Sequence, residues 1–163
     1  MKLICYMINL MKKLLLIFCL LPMTSFAQPE PAKLRYSLEF ILEKVLEKKR
    51  QAHRPEIPFP RFFFESSTPL KQFQDAVEPQ WGFRPERITN AFILHHNDIY
   101  ILDEAAYYQK TGRCMDDSVA HELVHYIQGK YQGWDLHDDS LEWEAIDIQT
   151  AFREEFCKSP ESL

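Results

Sequence analysis

The sequence predicts an α+β fold in which a small antiparallel sheet packs against amphipathic helices. Of the 163 residues, 46% are hydrophobic and 13% are aromatic, which is enough apolar surface for one buried core. Apolar residues recur at helical spacing over residues 34–53 and 139–157, and short β-rich runs with turn residues lie between these segments. Eight of the ten prolines lie between Pro29 and Pro85, so the second half is less interrupted.

Residues 1–27 have the pattern of an export signal. Met11 is followed by two lysines, an apolar run over residues 14–21, and Ser25-Phe26-Ala27, with small residues where a signal peptidase cleaves. We expect cleavage after Ala27, which leaves residues 28–163 as the mature domain. The alternative is an uncleaved anchor, but the apolar run is well below the ~20 residues that cross a bilayer. The sequence therefore predicts a periplasmic or secreted protein without a stable membrane anchor.

Charge and cysteine content narrow the partners and the compartment. Removal of residues 1–27, which carry three lysines and no acid, would change the net charge from −5 to −8. Basic residues cluster only at positions 48–50, so we expect no nucleic-acid partner. The two cysteines after residue 27, Cys114 and Cys157, favour a disulfide in an oxidising compartment, since no CxxC spacing supports a thiolate metal site.

The first half of the mature chain contains two predicted helices and one predicted strand. Residues 34–53 form an amphipathic helix that should cover the core. Prolines at positions 55, 58 and 60 end it, and the three phenylalanines within residues 61–65 indicate a short buried strand. Ser67-Thr68-Pro69 then has the composition of a helix start and predicts a short helix through Ala76.

The second half begins with a predicted hairpin over residues 91–102. Its two apolar runs flank His95-His96-Asn97-Asp98, which has the composition of a turn. Asp103 should cap a brief helix that ends at Gly112. The acids Asp116 and Asp117 then mark the first turn of a helix that should end at Gly129.

The last predicted helix covers residues 139–157 and has one apolar stripe. The stripe consists of Leu141, Ala145, Ile148, Phe152 and Phe156.

The helix over residues 116–129 carries the sequence His-Glu-Leu-Val-His. His121 and His125 are four residues apart, so both imidazoles leave the same face of the helix and can share one tetrahedral zinc ion. Glu122 lies one position round the helix, where it can act as a general base on a metal-bound water. The pattern predicts amide hydrolysis without a covalent intermediate; the alternative is two histidines that are only solvated or hydrogen-bonded.

A catalytic zinc ion needs a third protein ligand, and Glu142 and Glu144 on the next helix offer carboxylates. The His-Glu-Leu-Val-His helix followed by Glu142-Trp143-Glu144-Ala145 resembles the gluzincin metallopeptidases, and most closely their small, minigluzincin-like members. The resemblance covers about residues 91–156. It implies a zincin-like domain with zinc bound by His121, His125 and Glu142, Glu122 as the catalytic base, and an edge strand that aligns a peptide.

The choice between the two glutamates stays open at this level. Residues two apart point about 200° apart on a helix, so Glu142 and Glu144 cannot share one role. The family's Glu-x-x-Ala signature selects Glu142, with Ala145 allowing close approach of the active helix. Asp147 favours Glu144, because larger gluzincins place an aspartate after the ligand glutamate to orient a histidine. We take Glu142 as the expected ligand.

Other polar side chains are weaker candidates for a role in the reaction. His95, His96, Tyr131 and His137 could each stabilise an oxyanion, although such residues are more often simply solvated.

The leading hypothesis is therefore an exported zinc metallopeptidase that acts on a peptide or protein substrate. A second hypothesis is a non-catalytic module in which zinc only staples two helices, with His137 or Glu144 as a fourth ligand. A third is an inactive family member kept for a cell-envelope partner, which the intact Glu122 argues against. The sequence indicates neither the substrate nor the oligomeric state.

Overall fold

The computed structural model describes residues 30–158, so the predicted export signal lies outside the described residues. The described chain is α+β, as predicted, with five α-helices and three short strands. The helices are α1 (Leu38–Lys49), α2 (Leu70–Trp81), α3 (Ala105–Thr111), α4 (Met115–Tyr126) and α5 (Leu141–Phe156), and the strands are β1 (Arg61–Phe64), β2 (Ala91–Ile93) and β3 (Asp98–Ile101). Within residues 30–158, no helix has the length and apolar character needed to cross a membrane.

The three strands form a mixed sheet, so the prediction of an all-antiparallel sheet was wrong for β1. The order is β1-β3-β2. The β2–β3 hairpin is antiparallel, with Phe92 opposite Ile99, whereas β1 runs parallel to β3, with Phe62 beside Ile99. The long connection from β1 to β3, which contains α2 and β2, provides the crossover that parallel pairing needs. The phenylalanines of β1 are only partly buried.

Helix α4 lies at the centre of the fold. Ten of its twelve residues are buried, and the two partly exposed residues are His121 and His125. Helix α5 packs along α4, while α1 and β2 cover other sides of α4. The shared core includes Ile41, Val45, Ile99, Ile101, Val119, Leu123, Ile127, Ala145 and Phe152. Within residues 30–158, His121 and His125 are therefore the residues through which α4 meets solvent.

Helix α1 begins at Leu38 and ends at Lys49, which is shorter than the predicted segment of residues 34–53. Ser37 caps it, because the Ser37 hydroxyl accepts a hydrogen bond from the backbone of Phe40. The preceding residues are held outside the helix by Asp116. Its carboxylate accepts hydrogen bonds from the backbone N–H groups of residues 35 and 36 at 2.9 and 3.0 Å. This aspartate thus ties α4 to the N-terminal segment in addition to starting a helix.

Two further predicted boundaries differ from the structure. Helix α2 continues beyond Ala76 to Trp81 and ends at Gly82, whose φ of 75° is a left-handed conformation that glycine adopts without strain. Asp103 does not cap α3. Its carboxylate instead accepts hydrogen bonds from the backbone N–H and the hydroxyl of Ser66 at 2.9 and 2.5 Å. Asp103 therefore joins the ends of β1 and β3.

Gly129 does not end the central helix, because α4 continues into a π-helical turn over Ile127–Tyr131. A Cβ at Gly129 would lie 2.7 Å from Cδ1 of Leu94 in the hairpin turn. A larger residue would displace Leu94, so glycine lets the turn approach the helix closely.

Cys114 and Cys157 lie at disulfide-bonding distance, with their Cα atoms 5.8 Å apart. This agrees with the predicted pairing. Cys114 immediately precedes α4 and Cys157 immediately follows α5, so a bridge between them ties the two helices together at one end.

Candidate metal centre

The imidazoles of His121 and His125 leave the exposed side of α4 one turn apart. Their Nε2 atoms are 3.1 Å apart, and their side chains are 16% and 13% exposed. Both rings line a cavity of about 240 Å³ between α4, α5 and the edge strand β2. The other lining residues are Gln80, Trp81, Asn90, Ala91, Phe92, Glu122, Leu136 and Glu142.

Glu142, in the first turn of α5, completes a group of three possible metal ligands. Its Oε1 lies 3.1 Å from Nε2 of His125, and its Oε2 lies 3.4 Å from Nε2 of His121. A tetrahedral zinc ion with bonds of about 2.0–2.1 Å keeps its ligand atoms about 3.3–3.4 Å apart. The observed separations of 3.1–3.4 Å fit that arrangement. These three residues could therefore hold a metal ion.

Glu144 is not part of this group and forms a different set of contacts. Its Oε2 accepts hydrogen bonds from Nε2 of Gln128 at 2.9 Å and from Nζ of Lys49 at 2.5 Å. Burial alone would raise the pKa of Glu144, but these two hydrogen bonds outweigh burial and lower it. The Lys49 side chain is only 1% exposed and lies over the ring of Trp134. Glu144 is thus an ionised residue beside the site, held by hydrogen bonds from Lys49 and Gln128.

Gln128 connects Glu144 to His125. Its Nε2 faces two acceptors, the Glu144 carboxylate and the backbone oxygen of Leu141 at 3.1 Å, so its Oε1 must face His125. The separation between Nδ1 of His125 and Oε1 of Gln128 is 2.8 Å. Because a carbonyl oxygen only accepts, Nδ1 carries the proton and Nε2 offers its lone pair to the cavity. Gln128 therefore fixes the tautomer that a metal ligand needs.

A second glutamine lies behind His121. Gln149 donates from Nε2 to the backbone oxygen and to Oδ1 of Asp117, each at 3.2 Å, and Asp117 is paired with Arg113. Nδ1 of His121 is buried and has no hydrogen-bond partner among residues 30–158, although the nearby Gln149 amide raises the pKa of the ring. Burial and then the neighbouring His125 lower that pKa to about 4. His121 is therefore neutral near pH 7, as metal binding requires.

Glu122 is the buried acid of the cavity, with 4% of its surface exposed. Burial raises its pKa to about 8, repulsion from Glu142 adds to the rise, and a hydrogen bond from the backbone of Phe92 opposes it. A divalent cation beside Glu122 would lower this pKa again, because a positive charge favours the carboxylate. Glu122 can therefore exchange a proton near neutral pH.

The weaker sequence candidates lie elsewhere. His95 and His96 are exposed at the hairpin turn, and His137 is exposed in the loop before α5. Tyr131 is buried, and its hydroxyl lacks a hydrogen-bond partner among the described residues. None of these four residues lines the cavity. Asp147, which would have supported Glu144 as the ligand, lies on the exposed side of α5.

Four residues of this site were not identified from the sequence: Lys49, Gln80, Gln128 and Gln149. For Gln128 a signal existed, since a residue three positions after His125 shares its helix face. Lys49 and Gln80 come from other helices, and only the tertiary structure brings them to the site.

Comparisons of this chain with models of protein families, with curated proteins and with solved structures found no match. The function must therefore be inferred from the contacts of the site and from the resemblance of its short motifs. The group formed by His121, His125, Glu142 and the buried Glu122 is the most distinctive chemical feature of the described chain.

Proposed function

We propose that this chain is an exported zinc metallopeptidase of gluzincin type with a zincin-like domain. His121, His125 and Glu142 are the metal ligands, and Glu122 is the general base. The observation that carries the proposal is that the two Nε2 atoms lie 3.1 Å apart, each faces one oxygen of the Glu142 carboxylate at 3.1–3.4 Å, and a buried carboxylate lines the same cavity. A helix whose histidines are only solvated would not need the carboxylate.

The ligand set favours a catalytic site over a structural one. Catalytic zinc sites combine three protein ligands with one open position, whereas structural sites use four protein ligands. The candidates for a fourth ligand are engaged elsewhere. Glu144 is bound to Gln128 and Lys49, and His137 is bound to Asp135 and to the backbone oxygen of Gln80.

Zinc, when bound, supplies a Lewis acid that lowers the pKa of water and polarises a carbonyl group. Glu122 takes one proton from the attacking water while the water oxygen bonds to the carbonyl carbon of the substrate. Glu122 then delivers this proton to the amide nitrogen as the C–N bond breaks. The second proton of the water passes from the new carboxyl group to the amine, so the products are a carboxylate and an ammonium group, and Glu122 returns to its ionised state. Gln128 keeps the Nε2 lone pair of His125 aimed into the cavity throughout.

The substrate in this proposal is an extended peptide that pairs with β2. This strand is one edge of the sheet, and Ala91 and Phe92 line the cavity beside Glu122. A strand edge binds a peptide through backbone hydrogen bonds, which carry little side-chain specificity. The predicted export signal supports a reaction outside the cytoplasm.

The alternative proposal, a zinc-stapled binding or structural module, has one observation in its favour. The ligands come from both α4 and α5, so a metal ion would crosslink these helices whether or not it is catalytic. The buried acid Glu122 separates the two proposals, because it costs stability in an apolar setting and has no use in a purely structural site.

The test compares the mature protein with its Glu122→Gln, Glu142→Ala and Asp147→Asn variants. We expect one equivalent of zinc in the wild type and in Glu122→Gln, and loss of zinc in Glu142→Ala. Hydrolysis of a peptide library should fall at least about 100-fold in Glu122→Gln, the usual contribution of a general base. Asp147→Asn removes an exposed acid of α5 and should match the wild type. A fully active Glu122→Gln variant, or a wild type without zinc, would refute the proposal.

A further inference from the structure

The side chain of Gln80 occupies part of the outer edge of β2. Gln80 lies in the last turn of α2, and its Nε2 donates to the backbone oxygen of Phe92 at 3.0 Å. Its Oε1 accepts from the backbone N–H of Leu94, also at 3.0 Å. One donor and one acceptor are what a neighbouring strand would offer at this edge. A single amide therefore takes the place of a paired residue.

A contact of its own backbone also holds Gln80 in this position. Its backbone oxygen lies 3.1 Å from Nε2 of His137, whose Nδ1 lies 2.9 Å from Oδ1 of Asp135. The end of α2 is thereby tied to the loop that precedes α5. Gln80 also lines the cavity that contains the metal ligands and Glu122. Gln80 is thus held in a fixed position at one border of the proposed active site.

The direction of β2 determines which part of a peptide meets this boundary. A peptide that pairs antiparallel to β2 has its amino end toward Leu94 and its carboxyl end toward Asn90. Phe92 and Glu122 line the same cavity, so the reacting bond lies near Phe92. Residues before that bond would need the groups of Phe92 and Leu94 that Gln80 already binds. Residues after that bond extend past Asn90, which lines the open cavity.

We propose that Gln80 restricts the substrate to peptides with one or two residues before the cleaved bond, so that the chain removes residues from the amino end of peptides. This inference rests on the proposed peptidase function. It assigns the substrate class from the part of the outer edge of β2, at Phe92 and Leu94, whose backbone groups Gln80 already binds.

The test maps cleavage positions in a pool of mixed ten-residue peptides by mass spectrometry. The wild type should cleave after the first or second residue. Gln80→Ala should cleave internally as well, with at least a tenfold rise in kcat/KM for peptides with four residues before the bond. The matched control is Gln74→Ala, on the same helix, which removes a hydrogen bond to the backbone oxygen of Pro85. It should leave the pattern unchanged. Internal cleavage by the wild type, or an unchanged pattern in Gln80→Ala, would overturn the inference.

A second measurement does not depend on catalysis. Amide hydrogen exchange at Leu94 should be at least tenfold faster in Gln80→Ala than in the wild type. An N-acetylated eight-residue alanine–lysine peptide should restore protection in that variant only. Protection that is equal in both proteins, or absent from both, would overturn the role of Gln80. If no variant cleaves any peptide but Leu94 behaves as expected, the peptidase proposal fails while the occupancy of the β2 edge stands.

Discussion

Replacement of Gln128 by leucine tests whether the second layer of the site controls metal binding. The Gln128 side chain is fully buried and makes three hydrogen bonds, to His125, Glu144 and the backbone oxygen of Leu141. Leucine has a similar size but makes none of them. The substitution leaves the three proposed metal ligands in place and removes only their support.

Two magnitudes follow from these contacts. Loss of a hydrogen-bond partner behind a metal-binding histidine typically lowers metal affinity about 10- to 100-fold, which is about 1.4 to 2.7 kcal/mol. In the metal-free protein, the buried-side Nδ1–H of His125 loses its acceptor and the backbone oxygen of Leu141 loses one of its partners, which costs about 1–3 kcal/mol of folding free energy. Glu144 keeps Lys49, so its own contribution to the loss is smaller.

Competition with a chromophoric zinc chelator measures the affinity, and urea unfolding in excess chelator measures the stability. Gln74→Leu is the control, because Gln74 also makes a side-chain hydrogen bond but lies outside the cavity. A folded Gln128→Leu protein whose zinc affinity is within twofold of the wild type would refute the assigned role. An equal loss of affinity in Gln74→Leu would refute it as well.

Three further predictions concern charge and metal removal. In metal-free protein the pKa of Glu122 is raised to about 8, so its unfavourable ionisation reduces stability as pH rises from the unfolded pKa toward 8. From pH 5 to pH 7, the unfolding free energy of the wild type should therefore fall by about 2–3 kcal/mol relative to that of Glu122→Gln. Parallel pH profiles of the two proteins would contradict this. Lys49→Met should lower the unfolding free energy by about 1–3 kcal/mol, because Glu144 keeps its partly buried charge without its cation. The control Lys48→Met breaks an exposed pair and should lower it by less than about 1 kcal/mol. Equal losses of the two variants in urea unfolding would argue against the buried pair. Zinc at 100 times its dissociation constant should stabilise the wild type by about 2.7 kcal/mol and leave Glu142→Ala unchanged, which calorimetry with and without chelator can check.

The sequence was informative where function depends on one helix and uninformative where it depends on contacts between elements. The spacing of His121 and His125 sufficed to predict two imidazoles on one face, because α-helical geometry is local. Glu142 followed from a resemblance to a motif, and helical geometry alone left Glu144 as a rival. Only the packing of α5 against α4 and α1 directs Glu142 to the histidines and Glu144 to Lys49.

One error in the fold and one contact that the sequence did not reveal have the same origin. The run of phenylalanines in β1 indicated a strand but carried no information about its partner, and β1 joined β3 in parallel. Asp116 had the pattern of an acid at a helix start, while its hydrogen bonds to the N-terminal segment involve residues about eighty positions away. Propensity describes the residue and its near neighbours, whereas strand pairing and buried carboxylates depend on the whole chain.

The near-complete burial of α4 has a consequence for how this protein tolerates mutation. A typical surface helix has a solvent-facing side on which substitutions have little effect. Ten of the twelve residues of α4 are buried, and the two others are His121 and His125. In a saturation scan, almost every position of α4 should therefore be sensitive, most through abundance of the folded protein and the two histidines through metal content. Measuring folded abundance and metal content for each variant would separate the positions needed for packing of the helix from those needed for metal binding.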